Sequence, residues 1–202
     1  MIRKGNRLYT PNLVPGQRVY GEKLVRINGV EYREWNPYRS KLAAAILKGM
    51  KVNLNKNMTV LYLGAASGTT VSHVSDIVKK VYAVEFAYRP MRDLILLAKT
   101  RKNLMPILAD ASKPELYKDI DKPDFVYQDI AQPNQVEIFV RNMKYFNAPE
   151  GLLMVKARSI DVKADPRDVF KHVEKELIFK IEDKKRLEPY EKDHMAFLVK
   201  NI

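Results

Sequence analysis

The sequence predicts an α/β fold: a largely parallel sheet of seven strands covered on both faces by helices, with a small antiparallel β appendage on its amino-terminal side. Three observations predict it. At residues 58–70, Met-Thr-Val-Leu-Tyr-Leu-Gly-Ala-Ala-Ser-Gly-Thr-Thr, a continuous apolar run stops at Gly64 and a helix begins beside Gly68, in the order strand, tight loop, helix. Beyond it, apolar strand segments alternate with helical ones, which argues for parallel pairing through helical crossovers. Only the last two strands, 178–184 and 195–200, are joined by a loop alone, so the end of the sheet is expected to pair antiparallel.

Taken in order, residues 1–35 carry Tyr9, Val19, Tyr20, Leu24, Val25, Ile27, Val30 and Tyr32 among Gly, Pro and basic residues and read as short antiparallel strands. Strands at 23–27 and 30–34 flank Asn28-Gly29, a hairpin signal because both residues tolerate positive φ. This module is too short for a core of its own and is expected to dock on a second unit, 36–202. Asn36-Pro37 opens a helix with Asn as cap and Pro at the first position. It runs through Leu47 to Gly49, with Leu42, Ala45, Ile46 and Gly49 inward. Lys41 lies at the edge of that face, from which its amine snorkels to solvent or reaches a neighbouring cleft. The apolar strand 60–63 is followed by a helix 70–78 capped by Ser67 or Thr69, a strand 81–86, and a helix 90–99 with Leu94, Leu97 and Ala98 inward. Strands 105–109 and 124–128, a helix 134–146, a strand 151–157 and a helix capped by Asp165-Pro166 and reaching Leu177 complete the alternation.

Composition narrows the chemistry. The 202 residues are 46% hydrophobic and 30% charged, the profile of a globular protein with a sizeable core. No apolar stretch approaches the roughly 20 residues that span a bilayer, and no signal-peptide pattern opens the chain, so a cytoplasmic protein with no membrane partner is expected. With no Cys, thiolate metal sites and Cys nucleophiles are excluded, and three His at 73, 172 and 194 have no metal-ligand spacing, so no metal is expected. The net charge of +12, from 36 Lys and Arg against 24 Asp and Glu, points to a polyanion, nucleic acid first. A heat-adapted surface would explain the density of charge but not its imbalance.

Ligands of open α/β sheets bind beyond the carboxyl ends of the strands. Those ends deliver the small-residue loop of Gly64, Ala65 and Ala66, then Glu85 with Phe86, Asp110 with Ala111, Asp129 with Gln132, and Lys156 with Arg158. Glu85 follows Gly68 by seventeen residues, close to the spacing at which a carboxylate receives ribose hydroxyls, although a solvated strand terminus would look the same. Asp110 suits an adenine amino group, with Phe86 either against the ring or in the core. A dinucleotide loop would need glycines where Ala66 and Thr69 stand, and an ATP-binding loop would need a Lys after Gly68. S-adenosylmethionine has ribose and adenine but no pyrophosphate, and it fits. Without Cys, methylation of pyrimidine C5 is excluded, and Asp129-Ile130-Ala131-Gln132-Pro133-Asn134 is not an amine-methylating motif. A hydroxyl acceptor needs a positioned base. Lys156 is the expected base: burial and the cation of Lys41 would favour its neutral amine, and Asp129 would hold it in place.

Four stretches resemble the fibrillarin family: 35–44 (Trp-Asn-Pro-Tyr-Arg-Ser-Lys-Leu-Ala-Ala), the loop and helix 63–76, Tyr82-Ala83-Val84-Glu85-Phe86, and Asp129-Ile130-Ala131-Gln132-Pro133. The resemblance covers nearly the whole chain and, with no Gly-Arg-rich tail, is to archaeal members. It implies a Rossmann-like methyltransferase fold with the last strand antiparallel. It further implies S-adenosylmethionine-dependent 2′-O-methylation of pre-rRNA and tRNA within a box C/D guide-RNA particle. A Nop5-type scaffold and a kink-turn-binding ribosomal-type protein are the implied partners, with guide RNA choosing the target. By position, the resemblance puts cofactor contacts on Thr69, Thr70, Glu85, Phe86, Asp110, Ala111, Asp129 and Gln132, and a catalytic set on Lys41, Asp129 and Lys156. The fourth catalytic place, commonly Glu, holds His194, which reads as catalytic or as a plain surface histidine. Two rivals stand beside this: a methyltransferase acting alone, and a silent basic assembly subunit.

Overall fold

The structure, a computed structural model, describes residues 1–201. The chain runs β1 (Ile2–Lys4), β2 (Arg7–Pro11), β3 (Leu24–Ile27), β4 (Val30–Trp35), α1 (Lys41–Leu47), β5 (Thr59–Leu63), α2 (Thr69–Ser75), β6 (Lys80–Glu85), α3 (Tyr88–Ala98), β7 (Leu104–Leu108), a short 3-10 turn (Pro114–Tyr117), β8 (Phe125–Gln128), α4 (Gln135–Tyr145), β9 (Glu150–Lys156), α5 (Ala157–Ile160), α6 (Pro166–Glu176), β10 (Lys180–Arg186) and β11 (His194–Lys200).

Seven strands form the main sheet in the order β10-β11-β9-β8-β5-β6-β7. The pairs from β9 through β8, β5 and β6 to β7 are parallel, and β11 runs antiparallel to both β9 and β10. Central β5 is buried throughout. Its alternate residues serve opposite faces, as the two-residue period of a strand requires. Val60 and Tyr62 join the core beneath α1, α2 and α3, whereas Leu61 and Leu63 join the core beneath α4 and α6. From β5 the chain moves outward to β6 and β7 and later returns on the other side as β8 and β9. The crevice at this switch of direction lies beyond the carboxyl end of β5.

The amino-terminal strands form a separate antiparallel sheet in the order β1-β2-β4-β3. Asn28 (φ 52°) and Gly29 (φ 81°) make its two-residue turn, both left-handed as expected for such a hairpin. This sheet docks on α2 through a buried polar network. Trp35 stacks on His73 with centroids 4.9 Å apart. The Thr10 hydroxyl donates to Asp76 (2.8 Å) and so receives the Nδ1 hydrogen of His73 (2.7 Å), leaving His73 Nε2 to accept from Tyr20 (2.7 Å). The fully buried Arg33 guanidinium bridges Glu22 (2.6 Å) and Asp76 (2.7 Å), and Arg101 also pairs with Asp76. Leu8 and Trp35 share one apolar cluster with Leu42 and Val71, so apolar packing continues across residues 35 and 36.

Three local expectations are corrected. The helix expected from Asn36 starts at Lys41, because Asn36 turns its Oδ1 to the amide of Tyr38 (2.9 Å) while Ser40 caps α1 by accepting from Ala43 N–H (3.3 Å). All of Leu42 to Leu47 is buried, a wider face than a single amphipathic stripe. Helix α2 has no side-chain cap, since its N-cap is Gly68 at φ 102° rather than Ser67 or Thr69. The Asp165 cap of α6 is present, accepting from Arg167 N–H at 2.8 Å.

Candidate active site

A cavity of about 320 Å³ lies over the carboxyl ends of β5, β6, β7 and β8. It is lined by Gly64 and Ala66, by Glu85 and Phe86, by Asp110 and Ala111, and by Asp129 to Gln132. The loop after β5 lies low because Gly64 adopts φ 81° and donates its N–H to Val84 O (3.0 Å). A Cβ there would stand 2.9 Å from Ile130 Cγ1, pressing on the segment that carries Asp129, so only glycine keeps the crevice open.

Glu85 is 8% exposed, which excludes a solvated strand terminus. Its Oε2 accepts from Ala66 N–H and its Oε1 from Ala87 N–H, both at 2.9 Å. The carboxylate is thereby aimed into the cavity with lone pairs left for hydroxyl donors. Phe86 is 63% exposed and lines the cavity instead of the core, so its ring is free to lie against a planar ligand. Asp110 is exposed at the rim, and the Ser112 amide (2.9 Å) holds its carboxyl below the usual carboxylate range. The Ala111 carbonyl is fixed by Asn142 Nδ2 (2.8 Å) and Tyr117 OH (3.2 Å).

Ala65, Thr69 and Thr70 stand outside this lining. Ala65 is buried, and Thr69 opens on a separate depression beside Ser67. The Thr70 hydroxyl donates to Ser40 Oγ (3.1 Å), joining the glycine loop's helix to the cap that starts α1. Lys41 is the first residue of α1, and its Nζ reaches Asp129 Oδ2 at 3.0 Å. Behind Asp129 lie Tyr62 and Tyr127, their centroids 4.5 Å apart. Burial above all, with the Asp129 carboxylate adding to it, keeps both phenols well above their ordinary range and neutral.

The expected contact between Asp129 and Lys156 is absent among the described residues. Asp129 pairs with Lys41, and the Lys156 side chain is exposed and makes no ion pair among the described residues. What places Lys156 is its backbone, whose N–H donates to Gln135 Oε1 (3.1 Å). Gln135 also donates from Nε2 to Gln132 O (2.8 Å), tying the end of β9 to the cavity wall. His194 stands opposite Lys156 in the β11/β9 register. It is 7% exposed, so it is not a surface histidine. Burial lowers its pKa, the nearby Lys41 ammonium works in the same direction, and its Nδ1 lies 2.6 Å from Lys192 O. A neutral ring with Nδ1–H donating to that carbonyl carries its lone pair on Nε2. Ser40 and Gln135 are functional positions that the sequence pattern does not single out: Ser40 has the right type for a cap directly before the helix, whereas nothing local distinguishes Gln135.

The Fibrillarin family model matches residues 1–202. A fibrillarin-like rRNA/tRNA 2′-O-methyltransferase of Methanosarcina barkeri is 56% identical over 211 residues, covering 99% of this chain and 93% of the relative. Aeropyrum pernix fibrillarin, solved with natively bound S-adenosyl-L-methionine, superposes with a TM-score of 0.87 at 48% identity, over 96% of this chain and 88% of that one. A fibrillarin chain from a fibrillarin/Nop5p complex gives the same TM-score and identity over 93% and 91%. No helix among the described residues is long and apolar enough to cross a membrane.

Proposed function

The chain belongs to the fibrillarin family, and on that premise we propose that it is the S-adenosylmethionine-dependent enzyme that methylates ribose 2′-hydroxyls of rRNA and tRNA as the catalytic subunit of a box C/D guide-RNA particle. The observation that carries this is the Lys41–Asp129 pair at the mouth of a cavity whose far wall presents the Glu85 carboxylate. A Nop5-type protein is its scaffold. We extend the particle to a kink-turn-binding protein with guide and target RNA, and place it in the archaeal cytoplasm. Residues 1–35 serve as a docking module on the methyltransferase unit 36–202.

The residues present fit the cofactor. Glu85 offers acceptors for ribose hydroxyls, Asp110 an acceptor for the adenine amine, Phe86 a ring face, and the small loop of Gly64 to Ala66 leaves room for the methionine portion. Bound there, S-adenosylmethionine supplies an electrophilic sulfonium methyl. The rest falls to the chain. Lys41 and Asp129 hold each other at the cavity mouth and orient the acceptor ribose, and Lys156 supports the adjacent phosphate. The 2′-hydroxyl proton passes to His194 Nε2 as the oxygen attacks in line. Supporting His194 over Lys156 as acceptor are its burial, its lowered pKa and its free lone pair, against a Lys156 side chain that stands exposed. Holding nucleophile and methyl in line supplies much of the acceleration. A basic surface binds RNA backbone without choosing bases, which leaves target choice to the guide.

The test is transfer of labelled methyl from S-adenosylmethionine to a guided RNA, with and without reconstituted partners, for wild type and Asp129→Ala. Label at the 2′-oxygen that depends on partners and disappears in the variant is expected. Activity of the protein alone would favour an unguided enzyme, and an assembled but inactive wild-type particle would leave a structural subunit.

A further inference from the structure

Gln135 is the first residue of α4, a place where a glutamine would ordinarily turn to solvent, and it is fully buried. Both halves of its amide are spent on other elements. Its Nε2 donates to the carbonyl of Gln132 (2.8 Å), which ends the cavity wall that begins at Asp129. Its Oε1 accepts from the N–H of Lys156 (3.1 Å), the last residue of β9. These two partners lie on different sides of the site: Gln132 lines the cofactor cavity, whereas Lys156 stands opposite His194 in the β11/β9 register.

The sheet alone does not set the spacing between those sides. Pairing of β8 with β9 ends at Gln128 and Leu153, three residues before Lys156, so the end of β9 has no neighbouring strand on that side. Gln135 spans the gap. The wall itself is anchored at its start, where the Asp129 N–H donates to Leu63 O (3.0 Å), and its far end is held by the Gln135 backbone N–H (3.3 Å) and side chain together, both on Gln132 O. Gln128, also fully buried, donates from Nε2 to the Gln135 carbonyl and so fixes the start of α4 against the end of β8. One turn along the same helix Ile138 lines the cavity. A side chain at 135 without an acceptor would leave the Lys156 N–H unpaired, and one without a donor would release the wall from β9.

We propose that Gln135 is a positioning residue for methyl transfer: its amide sets the cofactor wall against the end of β9 and so fixes the distance between the sulfonium methyl and the groups that receive the acceptor ribose. The proposal rests on the RNA 2′-O-methyltransferase assignment above. Gln135 is buried and does not line the cavity, so it acts on the alignment of the two substrates and on the affinity of neither. An in-line displacement tolerates little misplacement, and a shift of about 1 Å costs on the order of 10²-fold in rate. Because one side chain holds both partners, seating of the cofactor against Gln132 is felt at the Lys156 amide, which lies outside the cavity lining.

The experiment compares wild type with Gln135→Met, which keeps the volume and loses both hydrogen bonds, and with Gln135→Asn, which keeps the amide polarity that a buried site needs but is too short to reach both partners. In the reconstituted particle it measures the single-turnover rate and the KM for target RNA. On the full-length protein alone it measures S-adenosylmethionine affinity by calorimetry and follows the Lys156 amide by NMR as the cofactor is added. Both variants are expected to lose rate on the order of 10²-fold, with RNA KM and cofactor affinity kept. The Lys156 amide is expected to shift on cofactor addition in wild type and to stay in place in either variant. An unchanged rate, a loss of affinity that accounts for the loss of rate, or a Lys156 amide that follows the cofactor equally in wild type and variants would overturn the positioning role. A wild-type protein in which S-adenosylmethionine moves no amide around the cavity would instead overturn the cofactor assignment beneath it.

Discussion

Lys41 Nζ lies 3.0 Å from Asp129 Oδ2 across 88 positions of sequence. The two side chains are 21% and 23% exposed, dry enough to hold a fixed geometry and open enough to meet a substrate. Because Asp129 also lines the cofactor cavity, the pair connects the cofactor side of the site to the acceptor side. Replacing Lys41 by Met is expected to lower single-turnover methyl transfer by about 10²-fold at saturating cofactor, the cost of misplacing the acceptor at the site. Calorimetric affinity for S-adenosylmethionine is expected to remain, since Lys41 does not line the cavity. Equal loss in both readouts would remove Lys41 from the chemistry.

Glu85 supplies the second prediction. Its oxygens already accept from Ala66 and Ala87 amides, so in Glu85→Gln the new NH₂ must turn a donor toward one of those N–H groups. Calorimetry should show cofactor affinity weakened by about 1.5–3 kcal/mol, the range for hydrogen bonds to a charged group. Unchanged affinity would show that the ribose binds elsewhere.

The pH dependence of the chemical step tests His194. Burial places its pKa below the ordinary 6.5, so the ring stays neutral as pH falls through that value and protonates only beyond it. The transfer rate is expected to hold steady from about pH 8 down to 6.5 and to fall below it. In His194→Gln the rate is expected to be lower throughout, with the acidic decline gone. A decline that persists in the variant belongs to another group.

His73 links stability to pH. It is fully buried, and burial first, then the charges of Arg33 and Arg101, hold its pKa well below 6.5. The unfolded chain therefore binds a proton that the folded chain refuses. Stability is complete above the unfolded value and is lost as pH falls below it toward the folded one. Thermal midpoints should decline on acidification below about pH 6.5. His73→Gln should show a lower midpoint at neutral pH and a shallower decline.

Asp76 answers two buried guanidiniums, those of Arg33 and Arg101, and accepts from Thr10 and from the Leu13 amide. Asp76→Ala leaves Arg101 without a carboxylate and Arg33 with Glu22 alone, and urea denaturation should show a loss of about 3–5 kcal/mol, the cost of breaking a buried pair from one side. Because the same carboxylate joins the amino-terminal sheet to α2, proteolysis should then reach the segment before Trp35 first.

The strand-loop-helix unit at Gly64, the order of strands and helices, and the row of carboxylates at strand ends are legible in the chain because each depends on residues a few positions apart. Alternation of two, a small-residue loop and an Asn-Gly turn are local signals, and the geometry that they dictate is local too. The fibrillarin resemblance is carried by the same local stretches. Helix α1 shows the limit. Asn36-Pro37 has the right residue types for a helix start, but Asn36 caps a turn, and Ser40, bonded to Thr70 from another element, begins the helix instead.

The partners of the site residues were out of reach of the sequence for a single reason: each is chosen by a different part of the chain. Asp129 had two lysines to pair with, and the placement of α1 beside β8 brought it Lys41 while β9 ended with Lys156 in solvent. His194 had the type of a surface residue until pairing of β11 with β9 buried it. The backbone period determines which elements form and which end of the sheet binds a ligand. Burial, charge pairing and proton affinity at that end depend on distances between elements far apart in sequence, and those exist only once the sheet has closed its order and the helices have packed across it.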